Sequence, residues 1–127
     1  MRILIAEDNV AMAQVLRFNL ERAGYTVCVA SDGRQALESA QEQHFDLVIT
    51  DYQMPGMTGE ELCRGLRELP EYRSTPVMMC TAKEFELDAT YLSESLGVNN
   101  LIQKPFSPRQ VVEQATALLS NRRAVPV

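Results

Sequence analysis

Five times along the chain a short apolar, β-branched run gives way to a segment with apolar residues at helical spacing, and this alternation leaves few folds open. Arg2-Ile3-Leu4-Ile5-Ala6 reads as the first strand. Met12, Val15, Leu16, Leu20 and Ala23 form the inner stripe of a helix that Gly24 stops. Thr26-Val27-Cys28-Val29-Ala30 is the second strand, and Ser31-Asp32-Gly33 turns the chain into a short helix that carries Ala36, Leu37 and Ala40 inward. The run Phe45 to Asp51 holds the third strand, and its Leu47-Val48-Ile49 is continuously apolar, as a strand buried on both faces requires. Thr58 and Glu61 form the capping-box pattern that opens a helix with Leu62, Leu66 and Leu69 on one side. Pro70 to Pro76 predicts a loop and Val77 to Thr81 a fourth strand. Leu87, Tyr91, Leu92 and Leu96 predict a fourth helix ending at Gly97, and Asn100 to Gln103 a short fifth strand. Ser107 caps a last helix with Pro108 at its first position and Val111, Val112, Ala115, Leu118 and Leu119 inward. Residues 1–121 are expected to form one domain, and the patternless tail Arg122 to Val127 is expected to fray.

Strands alternating with helices imply an α/β fold with a parallel sheet, right-handed crossovers and helices on both faces. At this size the arrangement is flavodoxin-like and doubly wound, with five strands in the order 2-1-3-4-5 and a ligand crevice where the winding reverses, between strands 1 and 3. Those two strands end in Glu7-Asp8 and in Asp51, the latter followed by the turn signal Met54-Pro55-Gly56. Three carboxylates are thus expected in one small crevice.

Bulk properties narrow the function classes. The 127 residues suit a single domain with a substantial core, and a net charge of −5 argues against a nucleic-acid surface built from this chain alone. No apolar run approaches a membrane span, and Met1-Arg2 leads directly into a strand. Cys28, Cys63 and Cys80 are odd in number and lack metal-site spacing. Cys28 and Cys80 fall on strands separated by two others, roughly 14 Å apart at the inter-strand spacing, too far for a disulfide. Reduced thiols in a cytoplasmic protein are the reading that follows. His44, the single histidine, has no second ligand near it in sequence and reads as a surface or edge residue. Met54, Met57, Met78 and Met79 read as packing.

Three carboxylates at close quarters repel one another, and a divalent cation removes that penalty. An all-oxygen set without His or thiolate suits Mg²⁺, with Mn²⁺ as the alternative, and leaves room for a phosphoryl oxygen. An Asp on such an ion can attack phosphorus and form an acyl phosphate. Thr81, ending the strand next to that of Asp51, offers a hydroxyl. Lys104, after the fifth strand, offers a cation to offset charge on the transferred group, and Pro105 after it permits a cis bond.

Glu7-Asp8, Asp51 with Met54-Pro55 and Gly59 downstream, Thr81-Ala82 and Lys104-Pro105-Phe106 stand in order at strand ends. In these motifs the chain resembles a response-regulator receiver domain of two-component phosphorelay signalling, over essentially residues 1–121. The resemblance implies that Asp51 accepts a phosphoryl group from the phosphohistidine of a sensor kinase or phosphotransfer protein. It implies that Glu7, Asp8 and Asp51 hold Mg²⁺ together with the backbone carbonyl of Gln53. It implies that Thr81 moves to bond the phosphoryl group while Lys104 contacts it. The surface around helix 4, strand 5 and helix 5 would then be read by a downstream effector, or would pair in a phosphorylation-dependent homodimer. Such a domain promotes its own phosphorylation and dephosphorylation without turning over a metabolic substrate.

Two positions depart from the family pattern. Leu101 stands three residues before the lysine, where the family places a Tyr or Phe that swings inward, and the acid pair is Glu-Asp rather than Asp-Asp. Leu101 motivates a second reading, a binding module that keeps the fold and signals without phosphorylation. An aspartyl phosphatase would need a second acid two residues after its nucleophile, where Gln53 stands, and a flavin site would need a Ser/Thr-rich loop after the first strand.

Overall fold

Along β1 (Arg2–Ala6) the side chains divide between two cores, because successive residues of a strand face opposite ways. Ile3 and Ile5 enter one core with Leu47, Ile49, Met78 and Ile102, and Leu4 and Ala6 enter the other with Val48, Val77 and Met79. The computed structural model describes residues 1–82 and 88–124. Besides β1 these include strands β2 (Thr26–Ala30), β3 (Leu47–Asp51), β4 (Val77–Ala82) and β5 (Val98–Lys104). The five form one sheet in the order β2-β1-β3-β4-β5, each neighbouring pair parallel, as expected from the alternation. Helices α1 (Val10–Arg22) and α5 (Pro108–Ala124) supply Leu16, Leu20, Val111, Ala115 and Leu119 to the first core. Helices α2 (Gly33–Glu42), α3 (Gly59–Glu68) and α4 (Ala89–Leu96) supply Ala36, Ala40, Leu62, Leu66, Leu92 and Leu96 to the second. All five residues of β3 are buried, which is why that strand reads as a continuous apolar run.

The helix starts follow their sequence signals. Asn9, Asp32 and Asp88 accept from backbone amides in the first turns of α1, α2 and α4, and Thr58 with Glu61 completes a reciprocal capping box on α3. Ser107 Oγ accepts from Gln110 N at 3.1 Å ahead of Pro108. Gly24 (φ +101°) ends α1, and Gly97 (φ +68°) ends α4 in the left-handed conformation.

Three stretches differ from the sequence expectation. β5 starts at Val98 rather than Asn100. Its pairing with β4 shifts register between Val77 and Met78, and Asn99 Oδ1 accepts from Val77 N at 2.9 Å, so Val98 and Asn99 extend the expected strand through an irregularity. Within the 70–76 loop, Pro70–Tyr72 form a 3₁₀ turn that buries the Tyr72 ring completely. The Tyr72 hydroxyl accepts from Phe45 N and lies 2.8 and 2.7 Å from the Ala40 and Gln43 carbonyls, tying this turn to α2 and β3. α5 continues to Ala124, past the expected start of a frayed tail at Arg122, since Arg and Ala are good helix formers. Residues 125–127 of that tail, and Leu87 of the expected fourth helix, lie outside the described residues.

The smaller expectations also find their places. Cys28, Cys63 and Cys80 are free thiols. His44 is half-exposed, stacked on the Tyr72 ring and 3.8 Å from Asp46. Met54, Met78 and Met79 are buried in the cores, and Met57 packs against one of them. Among the described residues no helix is long and apolar enough to cross a membrane.

One contact joins the scaffold to the end of β3. A Cβ at Gly59 would stand 2.5 Å from the Asp51 carbonyl oxygen and 3.1 Å from Tyr52 Cα, backbone atoms that no rotamer change can move. Gly59→Ala is therefore expected to destabilise the fold by about 1–3 kcal/mol, read as a lower urea midpoint at unchanged slope.

Candidate functional site

β1 and β3 are neighbours, so the chain leaves both at the same sheet edge. Glu7 directly follows β1, and its amide donates to Ala30 O at 3.0 Å, which holds it in line with the strand. Its side chain is only 4% exposed, while Asp8 beside it faces solvent. Asp51 ends β3 with its side chain 10% exposed, and Lys104 ends β5. The Lys104 ammonium lies 2.9 Å from Asp51 Oδ1 and 3.4 Å from Glu7 Oε1, bridging strands from opposite ends of the chain. Carboxylate oxygens of Glu7, Asp8 and Asp51 lie within 4.8 Å of one another. Asp8 and Asp51 line a cavity of about 440 Å³ together with Gln53, Met54, Pro55, Ala82 and Lys104. The Lys104–Pro105 peptide is cis.

The model of the response regulator receiver domain matches residues 3–116, nearly the whole of this arrangement. The chain belongs to the response-regulator receiver family. Over 118 residues the receiver is 39% identical to the Bacillus subtilis alkaline phosphatase synthesis transcriptional regulatory protein PhoP, covering 93% of this chain and 48% of that protein. Over 123 residues it is 40% identical to the transcriptional regulatory protein ResD of the same organism, covering 97% of this chain and 49% of that protein. It thus spans about half the length of these curated relatives. The solved structure of the Vibrio cholerae chemotaxis protein CheY4 superposes with a TM-score of 0.84 at 32% identity, over 92% of this chain and 97% of that one.

The receiver brings four of its six expected site residues into immediate contact: Glu7, Asp8, Asp51 and Lys104. Gln53 lines the same cavity. Thr81 is set back. It stands one position beyond Cys80, the register partner of Asp51, and is 2% exposed, with its hydroxyl donating to Ala82 O at 3.3 Å. Ala82, Met54 and Pro55 wall the cavity, a role beyond the turn and packing that the sequence assigns to Met54 and Pro55. Cys80 and Gly59 matter more than their sequence suggests, since one is in register with Asp51 and the other packs on its carbonyl. Nothing local in the sequence marks Cys80, because its importance comes from strand pairing alone.

Burial and the Asp51 charge push the Glu7 carboxyl from 4.5 up to about 7, against the opposing pull of Lys104. Glu7 Oε2 is buried without a hydrogen-bond partner. Burial alone would lower the Lys104 ammonium, yet its hydrogen bond to Asp51 and the Asp51 and Glu7 charges outweigh that and raise it. The Cys80 thiol, buried and facing the Asp51 charge, is pushed up to about 12. An orphaned carboxylate oxygen among clustered acids, with one ammonium as counter-charge, is a donor set that fits a hard divalent cation.

Two outcomes follow for the receiver in chelator. Between pH 4.5 and about 7 the folded chain keeps a Glu7 proton that the unfolded chain has lost, so stability falls as pH rises through that window. The full loss is roughly 3 kcal/mol, and Glu7→Gln flattens it in a series of urea titrations. Lys104→Met removes the resident ammonium and is expected to tighten Mn²⁺ binding by about tenfold in calorimetric titration. Unchanged or weaker binding would show that Lys104 does not compete for the acids.

Proposed function

We propose that this receiver takes a phosphoryl group onto Asp51 from a phosphohistidine of a sensor kinase or phosphotransfer protein and passes the signal to an effector. The observation that carries the reading is the Asp51 carboxylate held 2.9 Å from the Lys104 ammonium beside an open cavity. An Asp51 oxygen attacks phosphorus, the P–N bond to the donor imidazole breaks, and an acyl phosphate is left on Asp51. Lys104 sits where it offsets charge on the transferred oxygens. Glu7, Asp8, Asp51 and the Gln53 carbonyl would hold Mg²⁺, which when bound neutralises charge on the phosphoryl oxygens and on the acids. Thr81 must turn its hydroxyl away from Ala82 O to reach the phosphoryl group, a movement at the end of β4 that repacks its neighbours. The face of α4, β5 and α5 carries that change outward, to an effector or to a second copy of the chain. The site of action is the cytoplasm, where three free thiols stay reduced.

Incubation with acetyl phosphate and Mg²⁺ is expected to add the mass of one phosphoryl group, located at Asp51 by peptide mapping. Asp51→Asn and excess chelator each abolish the adduct. An intact protein that gains no mass under these conditions sinks the proposal. Lys104→Met, although it frees the acids for the cation, is expected to slow adduct formation by about 10²-fold.

A further inference from the structure

Helix α4 is weak on its own terms: eight residues, two of them serine and one threonine, with no basic residue in its last turn. Its C-terminal end is completed by α3. The partly buried Arg67 guanidinium donates from Nε to Leu96 O at 2.7 Å and from Nη2 to Gly97 O at 3.0 Å. Its Nη1 donates to Thr75 O at 2.8 Å and to Tyr72 O. Cys63 Sγ adds a second contact to Leu96 O at 3.4 Å. Leu96 and Gly97 present carbonyls left over at a helix end, and a fixed positive charge there also meets the negative end of the helix dipole. A Cβ at Gly97 would come within 3.2 Å of Nη2, so glycine serves the left-handed turn and the guanidinium together.

The opposite half of α4 is held differently. Arg64 Nη2 donates to the Tyr91 hydroxyl at 2.7 Å, but the Arg64 side chain is 51% exposed and also pairs with Glu60 at 2.9 Å. Exposed pairs of this kind hold weakly. This weaker latch is also the one that lies toward the site. Tyr52, next to Asp51, accepts from Gly59 N at 2.7 Å, and Glu60, the next residue, is the partner of Arg64.

We propose that Arg67 makes the C-terminal end of α4 a fixed pivot, so that occupancy of Asp51 swings α4 at its Tyr91 end and breaks the Arg64–Tyr91 bond. The swing rests on the phosphoacceptor reading of Asp51, whereas the pin does not. With Leu101 at the position of the family's aromatic ring, the movement runs through the α3–α4 contact.

The test follows backbone amides of the ¹⁵N-labelled chain with and without Mg²⁺ and beryllofluoride. Shift changes at Thr90 to Leu92 are expected to exceed those at Leu96 to Val98 by about threefold. Arg67→Gln should erase this gradient, Arg67→Lys should restore part of it, and Tyr91→Phe should leave Leu96 to Val98 unmoved. Equal changes along α4, or a gradient that survives Arg67→Gln, overturn the pivot. Hydrogen exchange of the unliganded chain reads the pin alone. Leu96 and Gly97 amides should exchange more slowly than Leu92 and Ser93, and Arg67→Gln should speed them roughly tenfold. Absence of that effect overturns the pin whatever happens at Asp51. A normal exchange pattern with no beryllofluoride response near Asp51 overturns the swing and the phosphoacceptor reading together, and leaves the pin standing.

Discussion

Two acids that the sheet removes from water share one ammonium. Glu7 and Asp51 are almost fully buried, and unpaired carboxylates in that setting would shift toward neutrality or unfold the edge of the sheet. The 97 positions between Glu7 and Lys104 are bridged only if β5 lies in the same sheet and runs the same way as β1. Three strand spacings separate β1 from β5, roughly 14 Å. A long side chain must reach inward from each side, so Glu at position 7 meets Lys104 where a shorter Asp would fall back toward β1. The variant acid pair thus has a local physical role.

Topology explains why the charges gather at this spot. β1 lies between β2 and β3, so the chain leaving β1 turns to one side and the chain leaving β3 to the other. The gap between these diverging loops is the cavity. Its floor is made of strand ends, which the two cores hold rigidly. Its rim is made of loops, among them Gln53 to Pro55, which are freer to adjust to whatever enters. A rigid floor presenting charge and an adaptable rim suit a small charged group better than a large apolar ligand.

Much of this was legible in the residues themselves. The succession of strands and helices follows from periodicity, because burial on two faces writes itself into apolar runs, and the strand order usual at this size then brings the strand-end residues Glu7, Asp8, Asp51 and Lys104 to one edge. Caps at Thr58 and Ser107 were readable for a similar reason, since a helix start is satisfied within three residues. The start of β5 was not, because Asn99 pairs through its side chain and a bulge has no periodic signature. Arg67 was invisible: its four acceptors are backbone carbonyls, which carry no residue identity. Tyr72 was hidden in the same way inside an apparent loop, its partners being the backbone of α2 and of the chain entering β3.

The pairing of Cys80 with Asp51 sets two nucleophiles side by side, a thiol and a carboxylate, on adjacent strands and one face of the sheet. A thiolate there would be the softer and more reactive rival. Burial and the carboxylate charge both favour the protonated thiol, so the sulfur packs in the core as a neutral group and a poor nucleophile. Strand pairing thus sets the softer atom of the two where the same fold that holds the carboxylate at the sheet edge suppresses its reactivity.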